Sequence, residues 1–214
     1  MQVAIVVFDG VTVLDAVGPY EVLGWLPEAD VRLVGIETGP VRSGQGTLAV
    51  CADYTLEDVP APDVVLVPGG PGEETLRRDP EVLRWLRDAH ATSKWTTSVC
   101  TGACTLAAAG LLDGLEATTH WSSMEVLRRL GAVPVERRWV RSGRILTAAG
   151  VSAGIDMALH LLATEAGDGV AQAAQLVLEY DPQPPFDSGS PAKAPPHIVA
   201  RLRERFGAPE TPPR

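Results

Sequence analysis

The chain has 214 residues, 45% of them hydrophobic, and a formal charge of −9 from 18 Lys plus Arg against 27 Asp plus Glu. That length suits one domain with a large buried core, and an acidic surface without a basic run repels phosphate backbones, which excludes nucleic acid as a natural partner. No apolar run approaches the roughly 20 residues that span a bilayer, so no membrane is expected. Met1-Gln2-Val3-Ala4-Ile5 runs straight into a strand pattern, and no secretory leader is expected either.

Along the chain, strands alternate with helices. Val3 to Phe8 is a continuous apolar run that predicts a parallel strand buried on both faces. Leu14 to Leu26 has helical spacing with Asp15 in its first turn, and Val31 to Ile36 reads as a second strand. Thr47 to Tyr54, after Ser43-Gly44-Gln45-Gly46, predicts a short hairpin or edge element. Asp63 to Val67 is a third buried strand ending in Pro68-Gly69-Gly70-Pro71-Gly72, and Glu73 to Ala89 predicts one amphipathic helix. Trp95 to Val99 is a strand and Thr101 to Ala109 a helix, with Cys100 at the junction. Ala117-Thr118-Thr119 reads as a brief strand, Ser122 to Leu130 as a helix and Trp139 to Thr147 as a hairpin around Ser142-Gly143. Helices over Ser152 to Glu165 and Gly169 to Leu178 follow.

This alternation predicts an α/β fold: a doubly wound, mostly parallel sheet with helices on both faces and its site at the carboxyl ends of the strands. The expected domain is residues 1–180. Nine of the 18 prolines lie in Asp181 to Arg214, so 181–214 is expected to be a Pro-rich extension that builds no core and packs on the body or on a partner subunit. From Arg205 onward the chain is expected to be unordered.

Cys100 is the most informative residue. A strand-to-helix turn presents a side chain at the sheet edge, as the nucleophile elbow of hydrolases does, and a helix start lowers a thiol's pKa. The same position suits a small buried core thiol, and position alone leaves both readings open. Cys104, one turn further on, and Cys51 read as packing. Three cysteines are too few for a disulfide framework and fit a reducing cytoplasm, while the absence of CxxC and HExxH leaves no metal site expected.

Asp15 either sets helix-start electrostatics or, with the first strand beside the Cys100 strand, reaches the thiol with a raised pKa and shuttles a proton. Glu21 lies on a different helix face. The Gly69 and Gly70 amides, with that of Thr101, are placed to form an anion hole; the run lacks the Lys-Ser/Thr of a phosphate loop. His120 is the histidine nearest a strand end and a secondary candidate as general base, whereas His90, His160 and His197 read as bland. Trp121 and Trp139 either line an apolar pocket or pack in the core.

With Asp15, Gly69-Gly70, Cys100-Thr101-Gly102-Ala103 and Ala117-Thr118-Thr119-His120-Trp121 in view, the sequence resembles the ThiJ/PfpI superfamily over about residues 3 to 195. Within that superfamily it is most similar to the isocyanide (isonitrile) hydratase branch, through Asp15 to Pro19 and the tail Leu178 to Pro191. The resemblance implies a flavodoxin-like, glutamine-amidotransferase-type fold and a homodimer. It also implies Cys100 as nucleophile, Asp15 as its acid/base neighbour, and Thr101 and Gly70 as local hydrogen-bonding groups. Thr101 and Asp15 stand where protease-like and deglycase-like branches carry His and Glu, which argues against a Cys-His-Glu triad. Regulators with similar motifs append a helix-turn-helix domain, for which the residues after Tyr180 are too few and too Pro-rich. The activity implied is hydration of a small organic isocyanide to an N-substituted formamide through a Cys100 thioimidate, with no metal or organic cofactor. Two alternatives remain: a glyoxalase-like lyase acting on small α-oxoaldehydes, and a non-enzymatic cysteine redox or stress sensor.

Overall fold

Val3–Val6 and Val64–Val67 are apolar on both faces, and Trp95–Val99 is buried along its whole length, so these segments occupy the middle of a sheet rather than its edges. The computed structural model describes residues 1–206. In chain order its elements begin with β1 (Gln2–Val6), α1 (Val13–Leu23), β2 (Asp30–Gly35), β3 (Gly39–Arg42), β4 (Ala49–Ala52), β5 (Tyr54–Thr55) and β6 (Val64–Val67). There follow α2 (Glu73–Leu76), α3 (Pro80–Thr92), β7 (Trp95–Val99), α4 (Gly102–Ala108), β8 (Glu116–Ala117), a 3₁₀ turn (Trp121–Ser123), α5 (Met124–Arg129) and β9 (Val133–Pro134). The last elements are β10 (Trp139–Ser142), β11 (Ile145–Ala148), α6 (Ala153–Ala166), α7 (Asp168–Val177) and α8 (Pro196–Phe206).

Seven strands form the main sheet in the order β10-β11-β7-β6-β1-β2-β5, parallel throughout except for the β10–β11 hairpin at one edge. Alternation along each strand feeds two cores. Ala4, Val6, Val65 and Val67 pack with Trp85, Leu86, Leu106 and Leu127 from α3, α4 and α5. Val3, Ile5, Val64 and Leu66 pack with Val22, Met157, Leu161 and Ala174 from α1, α6 and α7. Each fully buried aliphatic side chain contributes about 1.5–3 kcal/mol of burial free energy, so this double layer is the main source of stability. This is the flavodoxin-like, doubly wound arrangement expected. No helix of the described residues is long and apolar enough to cross a membrane.

The chain leaves β1 to one side to form β2 and then crosses to the other side for β6, so the direction of winding switches between β1 and β6. A crevice opens at the carboxyl end of such a switch point. Here the loop after β1 meets the glycine turn after β6: Thr12 N–H donates to Gly69 O and Gly72 N–H to Gly10 O.

Several local expectations are corrected. Glu73 to Ala89 is two helices, because the Asp79 carboxylate accepts from the amides of Glu81 and Val82 and Pro80 occupies the first turn of a new helix. Thr47 to Tyr54 does not fold on itself: β4 pairs antiparallel with β3, which sequence periodicity missed, and β5 adds to the edge of the main sheet beside β2. Of Ala117-Thr118-Thr119 only Ala117 is in a strand, where β8 pairs with β9. The chain divides into two compact units, Met1–Glu179 and Tyr180–Arg214. Within the second, Lys193 pairs with Asp187 and the chain forms α8, a helix unexpected in a Pro-rich segment but started by Pro196 at a position that needs no N–H. Arg205 and Phe206 end that helix; residues 207–214 lie outside the described residues.

Removing the cap that divides α2 from α3 should be felt without disturbing the core. Asp79→Ala is expected to lower stability in urea unfolding by about 1 kcal/mol, with no change in the slope of the transition.

Candidate active site

Cys100 follows β7 directly, with φ +57°, in the left-handed region that costs a non-glycine residue conformational energy. The conformation is held from three sides. Its N–H donates to the carbonyls of Ala148 and Ala149 at 3.1 and 2.8 Å. Its carbonyl accepts from the Thr119 hydroxyl at 2.8 Å, and the thiol receives the amides of Thr101 and Val151. Val151, a β-branched residue at φ +32°, is strained as well. Close packing around the turn demands glycine at two places: a Cβ at Gly102 would lie 2.0 Å from Val67 O, and one at Gly69 would lie 2.4 Å from Thr101 N.

Asp15 is fully buried in the first turn of α1. Its Oδ2 accepts from Gly69 N at 2.9 Å; Oδ1 is buried without an aligned donor, and the Cys100 thiol is the side chain that meets the carboxyl. The two residues expected to come together therefore do, though not by the expected route. Strand β1 does not lie beside β7: β6 separates them, and Asp15 reaches the thiol across the end of β6, against the Gly69 amide.

The electrostatics reverse one expectation. Burial raises the Cys100 pKa, the nearby Asp15 carboxylate raises it further, and the Thr101 and Val151 amides oppose them only in part. The helix start does not prevail because α4 has only seven residues and its field is confined to the first turn. Burial likewise pushes Asp15 up to about 7, against the lowering influence of Gly69 N–H and of the thiol.

A second correction concerns the anion hole. Gly69 N–H is engaged by Asp15, Gly70 N–H donates to Thr101 Oγ1 at 3.0 Å, and the Thr101 amide faces the sulfur. These amides order the pair itself instead of forming an open oxyanion site. His120 stands at the same sheet edge, its ring against Gly150 and tilted over Trp121 at 5.5 Å. Its Nδ1 accepts from Ser122 N–H, and burial lowers its pKa, which favours the neutral ring. Trp139 stacks on His160 at 4.1 Å. Cys104 is buried with its Sγ 4.0 Å from Thr119 Oγ1, and Cys51 is exposed. Sequence reasoning named Thr119 within the motif that carries the resemblance but gave it no role, and it missed Val151, whose only signal was position: Gly150-Val151 follows the strand next to β7.

A cysteine held strained and buried at the switch-point edge of a parallel sheet, with a carboxyl from the first helix, defines a cysteine-elbow α/β protein. The DJ-1/PfpI family model matches residues 1–164, and the chain belongs to that family. It is 46% identical over 205 residues to the isonitrile hydratase of Pseudomonas putida, across 96% of this chain and 90% of that protein. A crystal structure of a THiJ/PfpI family protein from Pseudomonas syringae superposes with a TM-score of 0.91 at 40% identity, covering 96% of this chain and 86% of that one. Drosophila melanogaster DJ-1beta shares the fold at 20% identity, with a TM-score of 0.77 over 85% of this chain and 98% of its own.

The folded pKa of Asp15 lies above its unfolded value of 3.8, so the buried charge costs stability only where the unfolded carboxyl ionises. That cost is absent below about pH 4, grows between 4 and 7 and is complete above 7, with a ceiling of about 4 kcal/mol. Asp15→Asn should therefore melt above the parent at pH 8, and the gap should close as pH falls towards 4, measured by thermal unfolding across that range.

Proposed function

We propose that this protein is an isonitrile hydratase, which adds water to an organic isocyanide to give an N-substituted formamide. The observation that carries this reading is the Cys100–Asp15 pair, buried together with the pKa of each raised, in a chain 46% identical over nearly its whole length to an isonitrile hydratase.

The isocyanide carbon accepts a nucleophile and then a proton on the same atom. Asp15, in its carboxylate form, takes the proton of the Cys100 thiol as the sulfur bonds to that carbon. The carbon then receives the proton from Asp15, which gives the thioimidate R–N=CH–S and restores the carboxylate. Water adds to the same carbon: Asp15 takes one of its protons and passes it to the nitrogen, and a tetrahedral R–NH–CH(OH)–S adduct forms. The C–S bond breaks, the hydroxyl proton returns to the sulfur through Asp15, and R–NH–CHO leaves. One water is consumed and no electrons are exchanged with an outside partner. Thr101 and Val151 donate to the sulfur whenever it carries charge, while Gly70 fixes Thr101 by bonding its hydroxyl. His120 and Trp121, in ring contact at the same edge, are the side chains this reading assigns to the organic substituent.

The alternatives have less support. A redox sensor needs a thiolate open to oxidant, whereas Cys100 is 6% exposed with its pKa raised. A glyoxalase-like lyase shares the nucleophile, and incubation with methylglyoxal in parallel separates it by product. The same reading has the enzyme act in the cytoplasm as a homodimer. Exposed apolar residues such as Leu14 at 45% and Leu176 at 76% support pairing, and sedimentation tests it.

With an alkyl isocyanide, the parent should release formamide, detected by mass spectrometry, while Cys100→Ser and Cys100→Ala fall by at least about 10³-fold with unchanged circular dichroism. Retained turnover in either variant removes Cys100 from the reaction. The acid limb of kcat/KM should follow the Asp15 carboxyl. Activity is low when both groups are protonated, rises tenfold per pH unit as pH approaches about 7, and levels off above it.

A further inference from the structure

The mechanism leaves one buried carboxylate unused. Glu73 is 3% exposed and begins α2, directly after the glycine turn. One of its oxygens, Oε1, accepts from the Thr105 hydroxyl at 2.7 Å, and Oε2 accepts from Arg77 at 2.8 Å. Its own N–H donates to Gly70 O at 3.0 Å. Burying a carboxylate costs free energy unless its oxygens are matched by donors, and a surface helix four residues long needs no such group for its own sake. The bonds of Glu73 point to a different use.

Thr101 and Thr105 are four residues apart, so their side chains lie one turn apart on the same face of the elbow helix. Both bond to the same turn. Gly70 N–H donates to Thr101 Oγ1, and Thr105 Oγ1 donates to Glu73 Oε1. The segment 69–73 is thus fixed against α4 at two points, and the amide at its head, Gly69 N–H, is the one that Asp15 accepts. The loop after β1 holds the same turn from its other side, through Thr12 N–H on Gly69 O and Gly72 N–H on Gly10 O, and the two bonds to α4 complete its orientation. The direction of a single amide decides how well it holds a buried carboxylate.

We propose that Glu73, through Thr105, is a positioning residue for the Asp15–Cys100 pair: it aims the Gly69 amide at the Asp15 carboxylate. Arg77, paired with Glu73 at 2.8 Å, orients it from its outer side. The effect reaches the reaction through the protonation of Asp15, because a poorly aimed amide holds the carboxylate less well and favours its protonated form. Among the described residues, Cys100 is a titratable group that meets Asp15, and Arg77 is a charged group that meets Glu73.

This inference rests on Asp15 working as the proton carrier of Cys100, so its test uses a readout that needs no isocyanide. The rate of Cys100 alkylation by iodoacetamide is followed on the full chain between pH 5 and 9, by peptide mass spectrometry that separates Cys100 from Cys51. Thr105→Val removes the hydroxyl and keeps the shape. Its alkylation limb should move up by about half a pH unit or more, roughly a threefold slower reaction on the acid side. Thr105→Ser, which restores the hydroxyl, should return the limb to the parent position, and Thr105→Ala serves in place of the valine variant if that one does not fold. A lowered melting temperature with the limb unmoved overturns the proposal, because a merely structural clamp would give that result; so does a parent without a limb near neutral pH. If the parent makes no formamide yet its limb shifts as described, the hydratase reading fails and the positioning role stands. If formamide is made and the limb stays fixed in Thr105→Val, the reverse holds.

Discussion

The site turns on a limit of electrostatics: a buried site holds one negative charge far more readily than two. Asp15 and Cys100 share such a site: burial raises the pKa of each, Asp15 raises that of Cys100 further, and the thiol's hydrogen bond lowers that of Asp15. Each has donors aimed at its charged form, Gly69 N–H at the carboxylate and the Thr101 and Val151 amides at the sulfur. One charge and one proton can therefore exchange places without leaving the pair.

The fold makes that site by how it winds. Strand β6 stands between β1 and β7, so a side chain from the helix after β1 has to cross the end of β6 to meet one from the turn after β7. The crossing is short only because the chain at the end of β6 is glycine. Any Cβ at Gly69 would collide with the Thr101 amide, and any at Gly102 with the Val67 carbonyl. The strain at Cys100 and Val151 belongs to the same arrangement, since two loops must bend inward for their amides to converge on one sulfur.

The sheet was legible where the sequence is one-sided: Val3–Val7, Asp63–Val67 and Trp95–Val99 have no other stable place than the middle of a parallel sheet. Cys100 stood out because it falls where a β-branched run gives way to small residues, and Asp15 because it opens the first helix. Strand β3 was hidden because Gly39-Pro40-Val41-Arg42 has no periodicity, and its pairing with β4 is a tertiary fact. The break at Asp79-Pro80 was written in plain view as a cap followed by proline, and helical periodicity on both sides obscured it. What no local reading gives is which donor an amide meets. Gly69, Gly70 and Thr101 looked like an anion hole because their amides are unobstructed in sequence, whereas in space Asp15, the Thr101 hydroxyl and the sulfur already occupy them. The direction of the Cys100 pKa was misread for the same reason: a helix start is visible in a sequence, but burial and a carboxylate arriving from 85 residues away are not.

A thiol whose pKa is raised looks like a poor nucleophile, yet it suits the chemistry proposed above. Addition of S–H across an isocyanide carbon consumes a nucleophile and a proton together, and the later release of formamide returns both. A pair that keeps one proton between two buried groups carries the same net charge at the start, in the thioimidate and at the end. The closed site therefore never has to admit a second charge, which would cost several kcal/mol in such surroundings. A thiolate fully ionised in advance would lower the first barrier but would leave the pocket without the proton that the carbon needs, and open to oxidation while it waited. In the proposed reaction, keeping the sulfur neutral until the carboxylate beside it accepts the proton couples ionisation to the arrival of substrate.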